Sequence, residues 1–513
     1  MVVLRAVAGI VAAAVVLGVA ELVAVFAGAG SAPAYAIGAT VVDHTPDGVR
    51  EWAISTFGTS DKAVLFACMG VVAVVVAGIS GVLERTARPV GSVAFAIFGA
   101  IAAVIGAGRI GGFPGALPAL IGTAAGILAL RGLTRRIDVA SAPSESAADV
   151  TDRPGEALVA KAGRRRVLGG IAAAGVSAIG AGIAGRLLGG ARRDVTAERE
   201  TVELPRAATP LPTLPADADL RVPGLTSYIT PNSDFYRIDT ALIVPQVSTD
   251  SWTLRIHGMV EQEITLTWDD LLRRTPVQRL VTLACVSNPI NGDLIGNARW
   301  LGYRLDELLA EARPLPDADM VLSHSKDGWT AGSPLSVLTD GRDALLAIGM
   351  NGEPLPIQHG YPARLVVPGL FGYVSATKWV TELEVTRFDK ATAYWTRRGW
   401  SAHGPIKTGT RIDTPRSRIP RGRTVIAGVA WAQHRGVTGV EVQIDNGDWR
   451  PARLSTEVTI DTWRQWTYDW DATPGQHTVR ARAFDPAGPQ TAVSQDVVPD
   501  GATGYPTLAI QVS

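Results

Sequence analysis

The chain has 513 residues, the length of about three domains, and its 48 basic and 48 acidic side chains balance. Two cysteines exclude a disulfide framework, and no basic patch interleaved with aromatics points to nucleic acid. The balance hides an asymmetry: the hydrophobic excess lies before residue 190, whereas every tryptophan except Trp52 lies after it. That division reads as a membrane anchor followed by a globular enzyme or binding region.

A bilayer core of ~30 Å needs about 20 apolar residues per helix. Five runs qualify, at 4–27, 63–83, 90–108, 113–130 and 167–188. The middle three carry no charge, and Pro114 and Pro118 blur the start of the fourth. Glu21, near the end of the first run, is either functional or snorkels to the interface. The stretch 131–166 holds Arg131, Arg135, Arg136, Arg153, Lys161, Arg164, Arg165 and Arg166, whereas 28–62 has only Arg50 and Lys62 as cations. The positive-inside rule therefore puts the N-terminus, the loop 84–89 and the stretch 131–166 in the cytoplasm. With five spans, residues 190–513 face outward, in a multi-pass protein of the cell membrane. No histidine lies in a span, so a bis-histidine haem within the bundle is not expected. Arg164-Arg165-Arg166 before Val167-Leu168 reads either as an ordinary positive flank or as a twin-arginine export signal. The second reading gains force if the following domain must fold around a cofactor first.

Residues 190–222, with Pro205, Pro210, Pro212 and Pro215, suggest an extended spacer between the membrane region (1–189) and the outward domains. Beyond it the pattern becomes mixed α/β. Strands are expected at 252–257, 281–285 and 363–367. Helices are expected at 268–273, capped by Thr267, and at 305–312 after a Trp300-Leu301-Gly302 turn. From about residue 403, short strands at 423–431, 439–444, 464–470 and 478–484 indicate an immunoglobulin-like β-sandwich. Asn446-Gly447 supplies a hairpin signal between two of them.

Cys285 sits where a buried strand delivers a side chain into the turn-rich loop Asn288-Pro289-Ile290-Asn291-Gly292. Alone it cannot form a disulfide or a four-ligand zinc site, and it reads either as a small buried hydrophobe or as a reactive thiol. The surrounding motifs bear on that choice. Ala284-Cys285-Val286-Ser287-Asn288 resembles the cysteine loop of the sulfite oxidase family, and Ala298-Arg299-Trp300-Leu301-Gly302 resembles the segment that follows it. Met350-Asn351-Gly352-Glu353-Pro354-Leu355-Pro356, His359-Gly360-Tyr361-Pro362-Ala363-Arg364 and Lys378-Trp379 resemble that family's longest signature. The likeness spans roughly 225–513.

The resemblance implies a molybdopterin-binding catalytic domain (223–402) and a C-terminal β-sandwich (403–513) that dimerises the protein. It implies Mo-molybdopterin as cofactor, with Cys285 as the catalytic thiolate and metal ligand, a soft donor suited to molybdenum. It assigns cofactor contacts to His359, Arg364 and Lys378, and further ones to Tyr236, Arg237, Ser325, Ser375 and Thr377. As isolated residues, Arg364 and Lys378 would read as solvated surface charges and His359 as a partner of a loop carbonyl. The chain departs from animal and plant sulfite oxidases in two places. Asn288-Pro289-Ile290 stands where those enzymes place an arginine, and Trp400 follows Trp395-Thr396-Arg397-Arg398-Gly399 where they place a tyrosine. Losing a cation and a phenol disfavours a small dianion such as sulfite. The expected function is oxygen-atom transfer on a small substrate outside the membrane, with a separate electron carrier or the quinone pool as redox partner. The alternatives are a methionine-sulfoxide-reductase-like member of the family and a non-catalytic ectodomain that binds a partner.

Overall fold

The computed structural model describes residues 1–57, 60–141 and 155–513, in two compact units, Met1–Asp194 and Val195–Ser513. Residues 142–154, part of the cationic stretch 131–166, lie outside the described residues, and so does the side chain of Arg164.

The first unit is helical: α1 (Val2–Ala27), α2 (Pro33–His44), α3 (Asp47–Phe57), α4 (Asp61–Leu83), α5 (Val90–Ile110), α6 (Leu117–Ser141) and α7 (Gly155–Arg193). Five of these helices are long and apolar enough to cross a membrane, in the order read from the sequence. The short α2 and α3 fill the connection between the first two spans, which run length alone left unstructured. Pro114 and Pro118 fall in a 3₁₀ turn and the first turn of α6, where a missing N–H costs nothing. That helix runs on past residue 130 to Ser141 and takes in the arginines expected to lie in a loop.

α1 is the hub of the bundle. Small residues let other helices approach its backbone: a Cβ on Gly18 would collide with Ala178 O of α7, and one on Gly9 with Ala77 O of α4. The contacts of Gly18 with Ala178, Glu21 with Gly185 and Val25 with Gly189 advance together along both chains, so α1 and α7 are parallel. Gly122 lies against Val16 and Ala20, and Gly126 against Ala12 and Val16, which makes α6 antiparallel to α1.

The second unit opens with α8 (Thr196–Thr201). The stretch 190–222 expected as an extended spacer begins instead with the end of α7 and with α8, and its proline-rich part, without regular secondary structure, is bonded to the unit it precedes. Ala208 N donates to Pro276 O (3.1 Å), Leu220 N donates to Gln465 Oε1 (2.6 Å), and Ala218 is fully buried.

Ten strands then build two sheets: β1 (Thr253–Gly258), β2 (Ile264–Thr267), β3 (Val277–Ala284), β4 (Ile295–Arg304), β5 (Met320–Ser325), β6 (Thr330–Pro334), β7 (Leu345–Met350), β8 (Glu353–Pro354), β9 (Arg364–Val366) and β10 (Val380–Thr386). One sheet has the order β2-β1-β10-β5-β6; the other is β3-β4-β7-β8, with β9 also on β7. α9 (Trp268–Leu272) carries the expected cap, a reciprocal box between Thr267 and Asp270, and α10 spans Leu305–Ala312 as read.

Trp300-Leu301-Gly302 corrects the sequence reading, for it is the middle of β4 and not a turn. Gly302 is needed for close approach: Leu346 O of β7 would collide with a Cβ there, beside a register shift at Leu301/Gly302.

The C-terminal strands β11 (Gly409–Thr414), β12 (Gly422–Trp431), β13 (Gly439–Ile444), β14 (Arg450–Pro451), β15 (Arg453–Leu454), β16 (Arg464–Ala472), β17 (Gly475–Asp485), β18 (Gly488–Pro489) and β19 (Thr507–Val512) form two sheets that share one core. Asn446-Gly447 closes β13 onto the two-residue β14, and the longer β16 pairs with β12 in the other sheet. This sandwich is joined tightly to β3. Trp463, fully buried, donates its ring N–H to Tyr228 O (2.9 Å) and its backbone N–H to Thr282 Oγ1 (2.8 Å). Asp461 O and Gln433 Nε2 bind the backbone of Thr282, three residues before Cys285.

Candidate functional site

Cys285 is the first residue after β3, and it is 8% exposed. Its loop is rigid for local reasons. Cys285 N donates to Leu294 O (2.9 Å), and the Asn288 side chain closes the loop by accepting from Leu294 N (2.9 Å). Asn291 takes the left-handed conformation (φ 62°), and its side chain accepts from Ile412 N of the sandwich (2.8 Å). Arg411, buried and paired with Asp413, donates to Gly292 O (3.2 Å). Burial pushes the Cys285 thiol up, while the Ser287 amide and hydroxyl and the Val286 amide pull it down. Donors aimed at sulfur suit a thiolate once a cation or metal offsets the burial.

A cationic cluster adjoins this loop. Arg364 begins β9 and is 5% exposed. Its guanidinium lies on the Trp300 ring (5.1 Å) and donates to carbonyls, His359 O at 3.1 Å among them. No carboxylate pairs with it among the described residues, and burial brings its pKa down to about 10. A buried cation bonded to carbonyls alone lacks its counter-ion.

Tyr236 is half-buried, and its phenol is pushed up by burial and by the nearby Cys285 sulfur, with Arg364 acting the other way. A Cβ at Gly372 would lie 3.7 Å from Ala284 O and 3.9 Å from the Tyr236 hydroxyl, in ordinary contact with both, which places Gly372 beside the cysteine loop and Tyr236.

His359 is 2% exposed and packs edge-on against Phe235. Burial first, then Arg364, lower its pKa to about 4, so the ring is neutral. Its Nε2 faces Asn232 O at 3.2 Å, which fixes the proton on that nitrogen and leaves Nδ1 an acceptor. Lys378 donates to Asp239 Oδ2 (2.8 Å) and Gln358 O (3.2 Å); burial draws its pKa down to about 8 against the pull of Asp239. Arg237 binds the same Asp239 oxygen through Nε (2.9 Å).

The structure thus gathers Cys285, Tyr236, Arg237, His359, Arg364 and Lys378. The surface reading of Arg364 does not hold: it is buried. Ser325 ends β5, and its buried hydroxyl has no partner among the described residues. Ser375 and Thr377 are fully buried with their hydroxyls turned into the protein, Ser375 to Phe371 O (3.0 Å) and Thr377 to Ser323 Oγ (2.6 Å). Motif reading missed Asp239 and the stacking role of Trp300. Arg237-Ile238-Asp239 was the only local sign of the former.

A cavity of about 280 Å³ opens on the sandwich side of the cysteine loop. Ala284, Asn288, Pro289, Ile290 and Phe371 line it from one side and Lys407, Thr408, Trp431 and Asp485 from the other. Its charges are paired: Lys407 with Asp500 (2.8 Å), and Asp485 with Arg435 (2.8 Å).

A buried thiol and a buried guanidinium without a counter-ion, both close to Tyr236, are a soft donor and an anion-binding donor on one side of the domain. Residues 241–395 match the family described as oxidoreductase molybdopterin binding domain. The chain is 30% identical over 289 residues to mitochondrial sulfite oxidase of Rattus norvegicus, covering 47% of this chain and 52% of that protein. It is 29% identical over 153 residues to the oxidoreductase YuiH of Bacillus subtilis (strain 168), covering 30% of this chain and 74% of that protein. The sulfane dehydrogenase SoxCD from Paracoccus pantotrophus shares the fold, with a TM-score of 0.50 and 24% identity over 56% of this chain and 84% of that one. Residues 241–395 thus carry an oxidoreductase molybdopterin-binding domain similar to that of the sulfite oxidases, and the chain spans about half the length of the sulfite oxidases it matches. Its cofactor is molybdopterin. Arg364, which has no anionic partner among the described residues, and the unpartnered Ser325 hydroxyl are the kind of donors that such a group takes up.

Proposed function

We propose that the protein is a membrane-anchored oxidoreductase transferring an oxygen atom to or from a small substrate outside the cytoplasmic membrane, with Cys285 as the molybdenum ligand. The observation that carries this reading is the position of Tyr236, close to both the Cys285 sulfur and the buried, anion-free Arg364. When bound, the cofactor supplies two-electron redox chemistry and a transferable oxygen. The chain's part is to hold and orient. Val286 and Ser287 would support the Cys285 sulfur as a thiolate once the metal offsets its burial, while Arg364 and Lys378 would take the cofactor's phosphate, the first as a fork and the second as a point charge. His359, protonated on Nε2 by its bond to Asn232, holds the loop and offers Nδ1 as acceptor. Ser375 and Thr377 act through loop shape rather than through their hydroxyls. Electrons pass to a separate carrier or the quinone pool, and the sandwich, read as immunoglobulin-like, is the surface for a homodimer.

The 280 Å³ cavity is the proposed substrate approach. With both charged lining residues paired, it offers neutral dipoles and the apolar faces of Pro289 and Ile290, which favour an uncharged oxygen donor or acceptor over a dianion. Molybdenum and pterin analysis of protein from a cofactor-competent host tests the enzyme reading, and protein without either would end it. A turnover panel of sulfoxides, N-oxides and sulfite tests the substrate reading, which fails if sulfite is the best substrate.

Arg364→Ala is expected to weaken cofactor retention about ten- to a hundredfold, because a buried charged hydrogen bond contributes about 1.5–3 kcal/mol. Molybdenum and pterin per mole of protein are the measurement. Unchanged content would remove Arg364 from the cofactor site.

A further inference from the structure

The first residues after the fifth span are built into the floor of the cofactor cluster. Val195 is 5% exposed, in one apolar cluster with Phe235, Trp300, Leu355 and Tyr361. Trp300 is the ring beneath Arg364, and Phe235 is the ring against His359.

Two charged side chains of α8 then hold the segment 353–361 at both ends. Glu198 Oε1 accepts from the Tyr361 hydroxyl (2.8 Å), from Thr249 N (2.7 Å) and from Thr249 Oγ1 (2.8 Å). Burial raises the Glu198 carboxyl, but these donors hold it below the usual range, so it stays an anionic acceptor. Tyr361 is fully buried, and Glu198 is the partner of its hydroxyl. At the other end, Arg199 donates from Nε to Leu355 O (2.7 Å) and from Nη2 to Pro354 O (2.5 Å), with an ion pair to Glu353 (3.1 Å). Glu353 in turn accepts from Asn232, whose carbonyl fixes His359. The segment so held carries His359 and leads directly into Arg364.

We propose that Glu198 and Arg199 are positioning residues for cofactor retention: the short helix α8 clamps the loop that presents His359 and Arg364. This rests on the reading of that cluster as the cofactor site. A surface helix of six residues would not otherwise place two ionic side chains on buried groups 155 to 163 positions away in sequence.

The test uses full-length protein in detergent. Glu198→Ala and Arg199→Ala are compared with Glu198→Gln, which keeps an acceptor for Tyr361 and Thr249, and with Tyr361→Phe. Cofactor release is followed by pterin fluorescence on dilution, and the folded fraction by near-ultraviolet circular dichroism. The expected result is release accelerated about tenfold in each alanine variant at an unchanged folded fraction, consistent with loss of a hydrogen bond to a charged group. Glu198→Gln should lie near wild type and Tyr361→Phe between the two. Should the alanine variants fail to fold, the Glu198→Gln and Tyr361→Phe release rates decide, and wild-type release from Tyr361→Phe overturns the clamp. Arg364→Ala is the control. If it releases cofactor quickly while the α8 variants behave as wild type, the clamp alone is wrong. If it too retains cofactor, the reading of the cluster fails.

Discussion

Cys285→Ser is expected to lower turnover by about a thousandfold or more, with the protein folded and still carrying pterin. At 1.36 kcal/mol per decade, that loss is about 4 kcal/mol of transition-state stabilisation. A serine hydroxyl is a hard donor that stays protonated near neutral pH, so it replaces neither the softness nor the charge of a thiolate. The fold should tolerate the change. The side chain is buried, but oxygen is the smaller atom and accepts from the same Ser287 and Val286 donors. Near volume-conserving swaps cost about 1.5 kcal/mol or less. Pterin should remain because Arg364 and Lys378 are untouched. Steady-state kinetics and pterin content, measured on one preparation, separate the two effects. Full activity in the variant would show that Cys285 is a structural thiol.

What was legible in the sequence was legible where the cause is local. The five spans follow from run length, α9 from Thr267 and Asp270 three residues apart, and the exit of Cys285 from β3 from a β-branched run ending at Asn288-Pro289. Where the cause is a distant partner, the same reading failed or was silent. Gly302 looked like a turn residue because its reason for being glycine is the backbone of Leu346 across the sheet. Arg364 looked like a surface charge, since nothing near it in sequence shows that Trp300 lies beneath it. Asp239 meets Lys378 across 139 positions. The prolines of 205–215 argued for an extended spacer but could not say that its start would be helical or that the rest would be bonded to the domain beyond it. Motif resemblance supplied the cluster of Tyr236, Arg237, His359, Arg364 and Lys378, which composition and periodicity alone would not have joined.

Replacing Arg164, Arg165 and Arg166 together by lysine is expected to leave residues 190–513 on the cytoplasmic side while the first four spans insert normally. The cytoplasmic assignment begins with the bundle. α1 and α7 are parallel and α6 antiparallel to α1, so the start of α7 lies at the same end as Met1. At that end Arg5 pairs with Asp138 near the end of α6, and Asp138 also accepts from Thr86 in the loop between α4 and α5. Arg85, Arg88, Arg135, Arg136, Arg165 and Arg166 lie in the same loop and the adjoining parts of the helices, whereas the opposite end carries Arg109, paired with Asp43, and Arg186, Arg192 and Arg193 at the end of α7. On the positive-inside rule, the proposed topology places this end in the cytoplasm. A domain that closed around molybdopterin before export could not thread a translocon as an unfolded chain, and on that proposal the arginines ahead of Val167-Leu168 would have a task beyond charge. Lysines keep the charge and lose the guanidinium pattern. Under a pure charge mechanism, topology survives the substitution. Under twin-arginine export, the catalytic unit becomes protected from protease added to intact spheroplasts and keeps its molybdenum inside the cell. Continued cleavage from outside in the triple-lysine variant would show that the arginines serve only as a positive flank.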